Sequence, residues 1–386
     1  MRDPAIPRGP RHVLLRYLSF SLLSRTVMCC AILIALMEIL ALLEQMTPIL
    51  KRHLGFGGVL TYMGLHLPAM LLNALPLSVL IGALLLLTQM TMNSEVAILR
   101  AAGLSPLGFF IRLVPVTLLI GGFGFAMEDQ VTPRSELALA AWWNRTDPHP
   151  ETGRSFWFHV PGGQASACPM PTLSTPPAAN ELAHVHHVAR AGHEAVGIDL
   201  YDRDSEGRLL RTLHAERAVH AQGQWTLSGI RCITVSLEAH DATATESARE
   251  SAMWINPFGP TDMLRLAQES IPFSSGMILA ALHGHIATNQ TPGYLRAALF
   301  ERLLRPLAFI VMLLLALPVI YIPPRTGLRS WLPVWCLGGG LLFIIVQGMF
   351  RAMGNAGLLP APVATAPGLL IFLLAACTAL LRNEDK

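Results

Sequence analysis

A carboxylate and a guanidinium, Glu95 and Arg100, lie in the short polar run Asn93 to Gly103 between two long apolar stretches. Asn93 or Ser94 suits the N-cap of a helix over 93–103, Glu95 its first turn, Arg100 its end and Gly103 its stop. The run is too polar to cross a bilayer. Two chemistries are open to Glu95. Buried against a basic partner, it would be part of a pair whose truncation costs about 2–5 kcal/mol. As a solvated first-turn residue it would serve the helix dipole for under about 1 kcal/mol.

A second set of charges, Arg296, Arg302 and Arg305, could hold phosphate groups, because guanidinium forks match phosphate geometry. Snorkelling, or pairing with Glu301, is the alternative use of those arginines. Glu38 lies deep in an apolar run, where an ionised group is costly. It can line a polar path, stay protonated or reach an interface; Glu44 closes the same run. His184, His186, His187 and His193 raise a metal question, since alternate histidines on a strand share a face. No carboxylate or cysteine stands at a persuasive spacing beside them, so no metal is expected.

Lysine occurs only at Lys51 and Lys386, and neither follows a glycine-rich loop. The chain therefore has no GxxxxGK[ST] loop, and any nucleotide chemistry belongs to another polypeptide. Its 386 residues are 52% hydrophobic and 14% charged, a membrane-protein composition. The net charge of +3 is small and scattered, which gives nucleic-acid binding no support.

These groups must be positioned by helices in lipid. A hydrocarbon core about 30 Å thick takes roughly 20 helical residues. Six windows qualify: Tyr17 to Leu43, Val59 to Met90, Leu104 to Met127, Leu303 to Tyr321, Trp331 to Met353 and Pro362 to Leu381. Pro68 and Pro76 predict kinks in the second, and Gly338, Gly339 and Gly340 predict close packing in the fifth. The basic start at Arg2, Arg8, Arg11 and Arg16 precedes a run too long for a signal peptide, so an uncleaved anchor is expected. Arg100, Arg325, Arg329 and Arg382 fall on the same side as that start, which predicts cytoplasmic termini. Lys51 and Arg52 dissent from the bias.

The polar middle alternates as strands at Ala195 to Tyr201, Leu209 to Leu213, Glu216 to Ala221, Gln224 to Leu227 and Ile233 to Leu237. Short strands at this spacing predict a sandwich or jelly-roll. A Pro-rich loop covers 168–180, and Ser274 to Ala287 reads as a weakly amphipathic connecting helix. Cys168 and Cys232 could form a disulfide in an oxidising compartment. The expected fold class is thus an α+β membrane protein with an inserted all-β domain. Residues 1–128 carry three spans and the 93–103 helix, 129–260 the β domain, and 261–386 the connecting helix and three spans.

The order of three spans, external β domain and three spans resembles the LptF/LptG permeases of the lipopolysaccharide export system. Arg16-Tyr17 with Glu44-Gln45-Met46, Ser94-Glu95 with Arg100-Ala101-Ala102-Gly103, and Arg302 with Arg305-Pro306-Leu307 carry the resemblance. Ile198 to Asp202, Gly207-Arg208-Leu209, Ala215 and Trp225-Thr226-Leu227 add to it. Ile310 to Leu317 and the Glu44-Gln45-Met46 ending look more LptG-like than LptF-like. The chain departs from the LptG pattern in having no lysine over Ala41 to Pro48, although Lys51 and Arg52 follow.

The resemblance implies a non-catalytic subunit in the inner membrane of a Gram-negative bacterium, paired with an LptF-like (or LptG-like) permease. An LptB-like ATPase dimer would bind ATP and magnesium and receive the helix carrying Glu95, Arg100 and Gly103; this chain would hold no cofactor. Lipopolysaccharide would meet Arg302, Arg305, Arg296, Lys51, Arg52, Glu38 or Glu44, and LptC/LptA-like jelly-roll proteins would take it onward. A mechanotransmission permease that moves no lipid, and a polytopic metalloenzyme using the histidines, are the rival readings.

Overall fold

In lipid a backbone has no water to satisfy its polar groups, so long apolar runs close their hydrogen bonds internally as helices. The computed structural model describes residues 11–146, 155–160, 180–204, 206–236, 243–254, 258–268, 272–283, 286, 288–322, 331–356 and 358–384. Six helical stretches are long and apolar enough to cross a membrane: Val13–Lys51, Gly55–Met92, Pro106–Arg145, Pro292–Tyr321, Leu332–Asn355 and Ala361–Leu380. The chain is a multi-pass α+β membrane protein with an inserted β domain.

Helix α1 is Arg11–Lys51 and α2 is Gly55–Met92. At 1.5 Å per residue each runs about 60 Å, roughly twice the hydrocarbon thickness. The short α3, Glu95–Ala101, precedes α4, Pro106–Ala126. The third span does not end at Met127. A π-helical turn, Met127–Val131, carries it into α5, Thr132–Arg145, because the Glu128-Asp129 pair interrupts hydropathy without breaking the helix. Later come α6, Pro260–Ala267, α7, Ser275–Leu282, α8, Pro292–Ala316, α9, Leu332–Asn355, and α10, Ala361–Glu384. A 3₁₀ turn, Leu317–Tyr321, ends α8.

The chain divides into two units. The first, residues 1–45, 67–131 and 293–386, has a core that includes Leu80, Leu87, Phe109, Phe309 and Leu313. Of the three consecutive glycines in α9, Gly340 makes the close approach, since a Cβ there would overlap the Leu80 side chain, whereas Gly338 faces open space. The prolines within α2 do not interrupt it.

The second unit, residues 46–66 and 132–292, holds a six-stranded antiparallel sheet in sequential order. Its strands are β1, Phe156–Val160, β2, Asn180–Ala189, β3, Glu194–Arg203, β4, Leu209–Ala221, β5, Gln224–Ser236, and β6, Thr243–Trp254. One face packs Phe158, Val185, Ile198, Leu213, Trp225 and Trp254 with Met263 of α6.

The strands are longer than the sequence pattern predicts, for a definite reason. Inward alternation slips by one across four neighbours, from Val185 to Val188, Ala195 to Ile198, Ala215 to Ala218 and Leu227 to Ile230. Gly197 and Gly229 adopt positive φ along this crease. A reader following period-2 alternation splits β4 and β5 there. Cys232 is disulfide-bonded, while Cys29, Cys30, Cys336 and Cys377 are free. Cys168, the 168–180 loop up to Ala179, Arg325, Arg329 and Lys386 lie outside the described residues.

Candidate functional site

Helix α3 is stopped by its sequence at both ends, though not by the cap expected. Ser94 has a left-handed backbone (φ 61°) and its hydroxyl caps nothing; the chain turns there and its carbonyl starts the helix through Ile98 N–H. At the other end Gly103, at φ 88°, allows Leu104 N–H to reach the Leu99 carbonyl and its own N–H to reach Arg100, a Schellman stop.

Val96 is buried, whereas Ala97, Ile98, Ala101 and Ala102 are exposed. Glu95 is half-buried, and its Oε2 accepts a hydrogen bond from the Tyr17 hydroxyl at 3.2 Å. Two motifs separated by 78 residues are joined by that bond. The Arg100 guanidinium lies over the Tyr321 ring, 5.4 Å from its centroid. Tyr17 and Tyr321 had no chemical signal in the sequence beyond being polar rings at the ends of apolar runs.

The second constellation surrounds the π turn. Arg302 is 5% exposed and turned inward, its Nε 3.6 Å from Glu128 and its Nη1 3.5 Å from Asp129. Arg305 reaches Glu128 at 3.0 Å and Glu301 at 3.5 Å, and Arg351 of α9 reaches Glu301 at 3.2 Å. Three arginines and three carboxylates therefore balance. Glu301 pairs with Arg305 and Arg351, so the pairing weighed for Arg302 falls on its neighbour one turn along the helix.

Beside the cluster is a cavity of about 220 Å³ lined by Arg305, Arg351, Glu301, Gln347, Leu304 and Phe343, among others. Glu128, Asp129 and Arg351 were missed in the sequence. The first two looked like the start of the polar middle, and Arg351 like the end of a span.

The remaining candidates do not join this cluster. Arg296 is exposed on α8, Lys51 and Glu44 are exposed on α1, and Glu38 is buried within α1. Arg52 is engaged with α5. Its Nη1 donates to the Trp143 carbonyl at 2.5 Å and to Thr146 Oγ1 at 3.3 Å, with the guanidinium 4.2 Å from the Trp143 ring centroid. The guanidinium of Arg52 thus meets a backbone carbonyl, a hydroxyl and an indole ring.

The histidines gain a neighbour that the sequence did not offer. Strand register supplies the carboxylate that sequence spacing did not, placing Asp199 opposite both His184 and His214.

Residues 16–382 match the sequence model of the family described as lipopolysaccharide export system permease LptF/LptG. The chain belongs to the LptF/LptG family. A curated relative from Haemophilus influenzae, named lipopolysaccharide export system permease protein LptG, is 22% identical over 385 residues, covering 96% of this chain and 98% of the relative. The match of this permease begins at Arg16, beside the tyrosine that holds Glu95, and runs through every charged residue of the cluster.

Proposed function

We propose that this LptF/LptG permease is the LptG-like, non-catalytic subunit of an ATP-driven extractor of lipopolysaccharide. The observation that carries the reading is the Tyr17–Glu95 hydrogen bond. It fixes a short helix with an exposed small and apolar face between two spans, the form a docking element needs to take force from a soluble ATPase. The lack of a phosphate-loop lysine assigns ATP and magnesium to that LptB-like partner.

Both termini lie in the cytoplasm and the β domain in the periplasm in this reading, supported by the arginine bias and by a bonded Cys232. An LptF-like subunit completes the cavity, and LptC/LptA-like proteins receive the lipid. Arg305 and Arg351, which line the cavity, meet lipid phosphates, and Arg302 holds from behind the Glu128 carboxylate that Arg305 pairs with.

The test is reconstitution of the permease pair with its ATPase in proteoliposomes. Glu95→Ala is expected to leave the protein inserted and lipopolysaccharide bound while ATP-driven release is lost. Normal release by that variant would remove Glu95 from the coupling. A pair that turns over ATP without releasing lipid at all would favour mechanotransmission.

A further inference from the structure

The face of the sheet opposite its apolar core carries a cluster that neither transport nor docking uses. Asp199 lies at the centre of β3, directly opposite His184 on β2 and His214 on β4. His184 Nδ1 and His186 Nε2 are each 3.2 Å from Asp199 Oδ2, and His214 Nδ1 is 2.6 Å from Oδ1. Donor atoms of His184, His186 and Asp199 all lie within 4.8 Å of one another. Three imidazole nitrogens thus converge on one carboxylate.

The fold makes room for this convergence. His186 lies along the crease, and its ring leans over Gly197 to reach Asp199. A Cβ at position 197 would stand 2.7 Å from the imidazole Cδ2, so only glycine leaves space for the ring. His184 is held from its other side by Trp157, stacked at 4.3 Å and 22°, with Tyr201 stacked on Trp157 in turn. Rings fixed in this way are what a metal site requires of its surroundings.

The facing charges are Glu216, one position along the same face of β4, and Arg231, opposite His214 on β5. Burial would raise the Asp199 carboxyl, but hydrogen bonds from His214, His184 and His186 outweigh it and hold it below the ordinary carboxylate range.

We propose that His184, His186, His214 and Asp199 form a binding site for one divalent transition-metal ion of the zinc type. A set of three imidazoles and one carboxylate is the borderline donor set such ions prefer over magnesium or calcium. Ligands stand about 2.0–2.2 Å from a common ion, so His184, His186 and Asp199 supply the gathered donors and the His214 nitrogen, now 2.6 Å from the carboxylate, draws back to admit the ion. Bound there, the ion ties β2, β3 and β4 together across the crease, where the regular alternation of the sheet fails.

The experiment uses the full chain in detergent, stripped with a chelator and titrated with zinc against a chromophoric competitor. Cobalt(II) spectra report coordination. One tight equivalent of zinc and a four-coordinate cobalt spectrum are expected. Asp199→Asn and His184→Gln should each weaken zinc by at least about 100-fold.

His186→Asn is the control for folding, because that ring is half exposed and its loss leaves the core untouched. It should weaken binding with an unchanged far-ultraviolet spectrum, and Gly197→Ala should do so by displacing the ring. Failure of the parent chain to take up a stoichiometric ion overturns the proposal. So does an affinity that survives both His186→Asn and Gly197→Ala, which would move the ion to other histidines.

Discussion

Replacing Arg302 by methionine keeps most of the buried stem and removes the charge from between Glu128 and Asp129. At 3.5–3.6 Å and an effective dielectric near 20, each contact is worth about 5 kcal/mol of gross attraction. Desolvation of the ions offsets most of that, and breaking such a buried cluster from one side typically costs about 3–5 kcal/mol. The lower end applies here, because Arg305 stays on Glu128 at 3.0 Å. A loss of about 3 kcal/mol lowers the folding constant by roughly a hundredfold. Equilibrium unfolding in mixed detergent micelles, read by tryptophan fluorescence, measures it. Adding Asp129→Asn, with Glu128 left to Arg305, should cost less than the same change does in the parent, since the Arg302–Asp129 contact is already gone. If Arg302→Met unfolds where the parent does, or the added change costs its full separate amount, the arginine is not holding this cluster. Lipopolysaccharide co-purifying with the parent but absent from an equally stable Arg302→Met protein would assign the residue to direct lipid contact.

Tyr17→Phe removes one hydrogen bond to Glu95, for about 1 kcal/mol of local stability. Faster hydrogen exchange in α3 and weaker ATPase association should follow, and unchanged exchange would detach Tyr17 from the helix. Burial, reinforced by the Asp202 carboxylate, pushes Glu181 up to about 7. The folded state then holds a proton that the unfolded chain releases near its ordinary value of 4.5. Stability should fall as pH rises from about 4.5 to 7, by an order of 3 kcal/mol. Glu181→Gln should flatten that slope in thermal melts, and an identical slope in both proteins would acquit Glu181. Gly340→Val drives a side chain into Leu80, an overpacking worth about 1–3 kcal/mol. Gly338→Val meets open space, so its melting temperature should stay near the parent's.

What could be read in the sequence follows from which interactions are local. Hydropathy located six helices because bilayer thickness imposes a length on each, and Gly103 announced the end of α3 because a left-handed stop is nearly its own sequence signal. The sites depend on contacts between distant segments. Glu95 was singled out, but its partner Tyr17 is 78 residues away, and a tyrosine at the mouth of a span looks like an interfacial ring wherever it occurs. Arg302 was singled out as a phosphate-binding cation, while its counter-charges, Glu128 and Asp129, looked like the edge of a soluble domain. A π turn keeps them in the helix and turns them inward. The histidines show the same limit in a sheet. His184 and Asp199 are 15 residues apart, as are Asp199 and His214, and only antiparallel register makes them neighbours. The crease that brings His186 to the same carboxylate is also what broke the alternation from which that register could have been inferred. A crease that gathers three imidazoles onto one carboxylate loses regular alternation at the same point, so the irregularity itself marks where the chemistry lies.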